Sequence, residues 1–200
     1  MARLLGVRTS SAALGFGLLA AGLGVLGAGS SGPAAVRYEL NAPLLATGGH
    51  VFACFSDALM GPAAGCGGIE VKGVDVSQVP DGGGDHGSPW SQTMRLVGTW
   101  DGTALTLTES FQPAQKALGL PQPCQQELGF EGAPGVIARE PEVWDGLNAH
   151  GIAVLQAMPC DDTTLGITVA VADHRTVAWV TSHYQHVKIA GWLRPLPSGP

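Results

Sequence analysis

Four cysteines, Cys54, Cys66, Cys124 and Cys160, constrain this 200-residue chain more than any other feature. All four follow an N-terminal stretch built like an export signal, and an even cysteine count in an exported chain reads as a disulfide framework. In that stretch Arg3 and Arg8 precede an apolar run from about Ala12 to Ala28, and small residues follow from Gly29 to Ala35. A positive start, an apolar middle and a small-residue end are the parts of a secretory signal. Residues 1–35 are therefore read as signal peptide and leader joint, with small-x-small cleavage patterns at Ala28-Gly29-Ser30 and Ser30-Ser31-Gly32. Gly15, Gly17, Gly22, Gly24 and Gly27 dilute the run below what a spanning helix of about 20 apolar residues wants. An uncleaved N-terminal anchor is the alternative, and only then is a membrane a partner. The box Leu26–Ser31 lacks the cysteine that would carry a lipid, and Arg3 and Arg8 are not adjacent as twin-arginine export needs.

Four cysteines allow three pairings. Proximity and the regional boundaries favour Cys54–Cys66 and Cys124–Cys160. Zinc sites use Cys pairs two to four residues apart, and no two cysteines here are so close.

About 165 residues remain after the leader, enough for one domain or two small ones. The formal charge of −6 includes Arg3 and Arg8, so the remainder carries about −8. Phosphate backbones need clustered Lys and Arg, whereas the cations here are dispersed. Nucleic acid is not expected as a partner.

The pattern predicts an α+β, β-rich chain. Residues 34–47 read as a short irregular arm. Residues 48–112 read as a small β-barrel-like region of the OB type. Val51, Ala53 and Phe55 alternate along a strand, and Gly73 marks a bulge or kink between Ile69/Val71 and Val74/Val76. Asp101-Gly102 between two alternating runs is a strong hairpin signal. A two-residue turn there pairs Trp100 with Thr103, Gly98 with Leu105 and Leu96 with Leu107, and it puts Met94, Leu96, Leu105 and Leu107 on one apolar face. Residues 113–133 read as a linker carrying Cys124. Residues 134–195 read as an α+β region. It comprises a short strand over Gly135–Ala138, a helix starting at Pro141 and stopping at Gly151, and strands Ile152–Ala157 and Leu165–Val171. A helix capped by Asp173 and a final strand Val187–Leu193 complete it. That order is βαββαβ, the ferredoxin-like arrangement.

No Gly-x-Ser-x-Gly elbow, His-Glu-x-x-His, P-loop, Cys-x-x-Cys or EF-hand loop is present. No catalytic, cofactor or metal residue is assigned, and the four cysteines are the only site residues. His183 and His186, at i and i+3, are metal candidates with Asp173 or His174, but two histidines alone are also an ordinary polar surface. Asp81 and Asp85 sit in the glycine-rich loop Pro80–Pro89, where Ca²⁺ is an option beside a plain connector. An exposed Trp pair at a barrel mouth is a possible sugar or peptide platform, core packing being the commoner use.

Two segments carry a resemblance. Phe52-Ala-Cys54, Gly61-Pro62, Cys66-Gly-Gly-Ile69, Val74-Asp75 and Val79-Pro80 form one. Val97-Gly-Thr-Trp-Asp-Gly102 with Leu105-Thr-Leu-Thr108 forms the other. They resemble uncharacterised exported, disulfide-containing proteins of high-GC, actinobacterial-type bacteria. The ending Ser182-His-Tyr184, Val187, Leu193-Arg194-Pro195 is similar to theirs. Trp100 stands where they have Tyr, and Gln185 where they have Gly. The resemblance implies export, a disulfide and a β-barrel-like first half, and it supplies no catalytic residue. The expected function is an exported, disulfide-stabilised, non-enzymatic binding or protein-interaction module for an unknown extracytoplasmic ligand. The alternatives are a secreted hydrolase with a His/Asp site in the C-terminal half, and a protease-inhibitor or prodomain-like module.

Overall fold

Five strands close into a barrel in the computed structural model, which describes residues 35–56, 66–79, 90–124 and 132–197. They are β1 (Arg37–Thr47), β2 (His50–Ser56), β3 (Gly67–Lys72), β4 (Trp90–Trp100) and β5 (Ala104–Leu107). β1 lies antiparallel to both β2 and β4, and β2 antiparallel to β3. β3 runs parallel to β5, and β5 antiparallel to β4, so the circuit is 1-2-3-5-4-1. Residues 1–34, where the signal is expected, and the glycine-rich stretch with Asp81 and Asp85 lie outside the described residues.

β1 corrects the expected irregular arm. Tyr38, Leu40, Ala42 and Leu44 alternate into the barrel core while Glu39, Asn41 and Pro43 face the other way. Pro43 has no N–H for a ladder, and the register shifts between Pro43 and Leu45 to accommodate it. Gly48 and Gly49, at φ 58° and 82°, make the two-residue turn into β2. Positive φ at both central residues gives a turn whose twist matches the strands.

The Asp101-Gly102 hairpin forms with the predicted faces and a different register. Trp100 pairs with Leu105 and Gly98 with Leu107, two residues from expectation. A shift of two preserves the faces, so Met94, Leu96 and Leu105 are buried. The cause is the Asp101 side chain. Its Oδ1 accepts from the Thr103 N–H, the Thr103 hydroxyl and the Ala104 N–H, all at 2.8 Å, and this holds a wider loop. The same device recurs at Asp161, whose Oδ1 takes the Thr163 N–H at 2.9 Å and the Thr163 hydroxyl and Thr164 N–H at 2.8 Å. Gly73, at φ 79°, ends β3 rather than kinking it, and a 3₁₀ turn follows at Val76–Gln78.

Residues 113–124 are a strap across the barrel rather than a free linker. β6 (Gln112–Pro113) pairs with β4, the Leu118 N–H donates to Asn41 O, and Leu120 packs on the barrel core. Cys124 bonds Cys160 and Cys54 bonds Cys66, with Cα–Cα separations of 5.7 and 5.6 Å.

Beyond the strap come α1 (Pro134–Ala149), β7 (Val154–Pro159), β8 (Leu165–Val169), α2 (His174–His183), β9 (Val187–Gly191) and β10 (Arg194–Pro195). The ferredoxin-like arrangement does not form. The expected strand Gly135–Ala138 is the first turn of α1, with Pro134 at the helix start and Pro141 inside the helix. Val136, Val143 and Leu147 share one buried helical face, and that periodicity wins over the weak strand signal. The described sheet has three strands, with β7 antiparallel and β9 parallel to β8. α1 stops as expected at Gly151, φ 77°. The Gly151 N–H donates to Asn148 O and the Ile152 N–H to Leu147 O, which satisfies two end carbonyls. Asp173 caps α2 by accepting from the Thr176 N–H at 2.7 Å.

The two halves share a core. Trp192 and Leu193, just past β9, are buried in the barrel cluster with Ala170, and the Trp192 indole N–H donates to Leu118 O at 2.9 Å. β10 then pairs with β1, Tyr38 opposite Pro195 and Glu39 opposite Arg194.

Candidate functional site

Where β10 and the start of β1 meet α2, the packing leaves a cavity of about 480 Å³. That volume lies in the range of small-molecule sites. Val36, Val171, Ala172, Leu193 and Pro195 supply its apolar walls, and Tyr38, Asp173, His174, Arg175 and Arg194 its polar groups. Three chain segments far apart in sequence meet here because β10 pairs with β1 and the β8–α2 connection runs beside them.

Tyr38 is the notable side chain. Its ring belongs to the barrel core, the residue is 9% exposed, and its hydroxyl has no hydrogen-bond partner among the described residues. The hydroxyl oxygen is not itself sealed from solvent; the buried side-chain oxygen without a partner among the described residues is Asn41 Oδ1. Burial pushes its pKa above the usual tyrosine value, and the negative charge of Asp173 adds to the rise. The phenol is therefore protonated at neutral pH and offers a donor.

Asp173 is held below the usual carboxylate range, chiefly by the Thr176 N–H. The first turn of α2 carries no acidic residue and instead has His174 and Arg175. The Arg175 cation at the helix N-terminus opposes the macrodipole, which favours negative charge there. Asp173 interacts electrostatically with the neighbouring His174 and accepts from the Arg175 backbone N–H, so the anion that suits this helix end is supplied by the cap itself. Arg194 lies directly opposite Glu39 across β10–β1, and opposed residues share a sheet face. Glu39 is itself held by Arg95 at 2.7 Å, and Arg194 borders the cavity from β10.

A second depression of about 390 Å³ lies against Gly73, Gln78 and Thr108–Phe111. Its carboxylate, Glu109, is already engaged by Arg37 and Arg95.

The metal candidates are not brought together. His183 stacks on Trp179 with centroids 4.3 Å apart, and its Nδ1 is 2.8 Å from Trp179 O. Asp173 and His174 lie at the other end of α2, roughly 15 Å away by helical rise. His186 follows the helix at φ 56°. No group of three His, Cys, Asp or Glu side chains among the described residues is arranged to hold a metal.

Trp192 and Trp179 form no open platform. Trp192 is buried edge-on to Phe55, and Trp179 has His150 on one side at 3.9 Å and His183 on the other. For the hydrolase alternative, the hydrogen-bonded His–carboxylate pair is His50–Glu70, 2.8 Å apart on the barrel, while in the C-terminal half His174 interacts electrostatically with Asp173 beside it in the cavity wall. Sequence reasoning missed Tyr38 and Arg175. The only readable signal was the alternation Tyr38-Leu40-Ala42-Leu44, which marks a strand and not a site.

No helix among the described residues is long and apolar enough to cross a membrane. No protein-family model matches the chain, nor does any curated protein or solved structure.

Proposed function

We propose that this chain is an exported, disulfide-stapled binding module, rather than an enzyme, whose ligand occupies the cavity between β1, β10 and the start of α2. The observation that carries this reading is the largely apolar cavity itself, with the mostly covered Tyr38 ring in its wall and the charged groups of Asp173 and Arg175 at its edge. A few polar groups converging on an apolar pocket are the usual composition of a small-molecule site. The barrel's strand order, with β3 parallel to β5, supports the OB-type reading. The two disulfides fit an oxidising, extracytoplasmic compartment, in keeping with the likeness to exported proteins of high-GC bacteria. The inhibitor or prodomain reading rested on a ferredoxin-like half and loses its basis with it.

Two measurements test this. Intact mass with thiols alkylated before and after reduction reports export processing, and a mature start between Gly29 and Ala35 with no free thiol is the expected result. A full-length mass with free thiols overturns the export reading. A fragment screen read by ¹³C-labelled tyrosine resonances tests the cavity. The chain has two tyrosines, Tyr38 and Tyr184, so the signal at the cavity is separable. Fragment hits that move Tyr184 and leave Tyr38 unmoved would sink the cavity reading.

A further inference from the structure

We infer that the outer edge of β9 takes an extended, acidic peptide segment as an added strand, and that one bulky apolar side chain of that segment sits in the cavity at the strand's end. This rests on the binding-module reading and makes its ligand a peptide.

The ladder between β8 and β9 fixes which backbone groups are free. The Leu165 N–H donates to His186 O and the Trp192 N–H to Val169 O, with Leu165 opposite Val187 and Val169 opposite Gly191. Between those two bonds, alternate residues of a parallel strand turn their N–H and C=O toward the neighbour, so Lys188 and Ala190 face β8. Val187, Ile189 and Gly191 then present three N–H donors and three carbonyls outward, and none of these has a partner among the described residues. Such a row is a template for another strand, and sheet edges are commonly blunted against it by proline or a bulge. The opposite edge of this sheet has both, since β7 ends at Pro159 and its register breaks between Val154 and Gln156. β9 has neither, and its register with β8 is unbroken from Val187 to Gly191. Lys188 is its one charged residue. That side chain lies on the sheet face opposite Val187 and Ile189, which pack into the helix-side core.

Gly191 joins the edge to the cavity, because it ends β9 and also lines the cavity wall, with Leu193 just beyond it. A segment paired along β9 therefore runs up to an apolar pocket. Main-chain pairing for affinity and a side-chain pocket for specificity are the two parts of recognition by strand addition. The cations Lys188, Arg175 and Arg194 outnumber the one carboxylate, Asp173, along this edge and the cavity wall, which favours acidic residues in the segment. A second copy of the chain fits less well. Antiparallel pairing of β9 with its own copy about Ile189 would lay Val187 against Gly191 and carry Gln185 and His186, both polar, toward the cavity.

The test selects random decapeptides displayed on phage against the immobilised, disulfide-bonded chain. The winning peptide is then titrated into chain carrying ¹⁵N-labelled amides and ¹³C-labelled tyrosine. The expected winner is acidic and has one bulky apolar residue. It should move the amide signals of Val187, Ile189 and Gly191 together with the Tyr38 signal. N-methylation of the peptide amides that face β9 should weaken binding at least about fivefold each, the scale of one main-chain hydrogen bond, and alternate positions should tolerate it. Replacing the bulky residue by alanine should release the Tyr38 signal. A winner that moves Tyr38 but leaves Val187 and Ile189 in place, or N-methylation with no alternating effect, overturns strand addition while the cavity still stands as a ligand site. A winner that moves the edge and not Tyr38 overturns the seat in the cavity, and the cavity reading with it. Edge signals that shift when the chain alone is diluted assign β9 to a second copy and overturn the inference. A basic winner, or no enrichment over the unselected library, overturns it too, and the fragment screen then decides the binding-module reading by itself.

Discussion

Individual side chains settle geometry that patterns leave open. Gly166 on β8 lies under the second disulfide, where an added Cβ would sit 2.9 Å from Cys160 Sγ, 3.1 Å from Cys124 Sγ and 2.8 Å from Pro123 Cγ. None of these atoms is the end of a flexible chain, because the bridge and the proline ring hold them. Gly166→Ala should therefore destabilise by about 1–3 kcal/mol through overpacking, with faster reduction of the Cys124–Cys160 bridge under limiting dithiothreitol. The turn aspartates set a pH response. Asp161, bonded first by the Thr163 N–H, is held at about 2, and Asp101 lies well below the usual carboxylate range. A carboxyl group with a depressed folded-state pKa stabilises the fold above its unfolded value, about 3.9, and loses that contribution as pH falls toward the folded value. The urea midpoint should stay level from pH 7 to 5 and fall from about pH 4 to 2. Asp161→Asn, which keeps an acceptor without the titrating charge, should flatten part of that fall. The Asp-x-Thr spacing that builds these turns is plain at 101–103 and 161–163. Only the structure shows that three donors converge on one oxygen and widen the loop by two residues of register.

Elements were legible where local chemistry and burial agreed. Asp173 and Gly151 mark helix ends that form as read, and the cysteine spacing matches the two bridges that form. β1 was obscured by Pro43, which argues against a central strand until a register shift accommodates it. α1 offered two prolines that each suit a helix start. Choosing Pro141 discarded the first two turns, although Val136 and Val143 lie seven residues apart on one face. Pro141 consequently sits in a helix interior, where it has no N–H to donate to the Ile137 carbonyl. A proline there costs about 3 kcal/mol relative to alanine. Pro141→Ala should raise the thermal midpoint and increase helical ellipticity, and a lowered midpoint would mean the proline ring contributes packing that outweighs this cost.

Over the whole molecule, the boundary drawn from sequence between a barrel half and an α+β half does not separate two cores. Residues 35–200 make one compact unit, and Trp192 belongs to the barrel core although it follows the last strand of the other sheet. Trp192→Ala should cost about 3–5 kcal/mol. Far-ultraviolet ellipticity and near-ultraviolet aromatic signals should lose structure together in one urea transition, before and after the substitution. Two separated transitions would show that the halves fold independently. The cavity was beyond sequence reasoning for the same reason, since residues near 36, 173 and 194 carry no shared motif and meet only through the pairing of β10 with β1. That pairing also bears on how the chain is made. Synthesis runs from the amino end, so all five barrel strands can pair with one another while β1 still lacks its short β10 edge and the core its indole. The barrel is thus finished by residues that follow the second sheet, so removing Trp192 to Pro195 should open the barrel core to water, read as a gain in binding of an apolar dye.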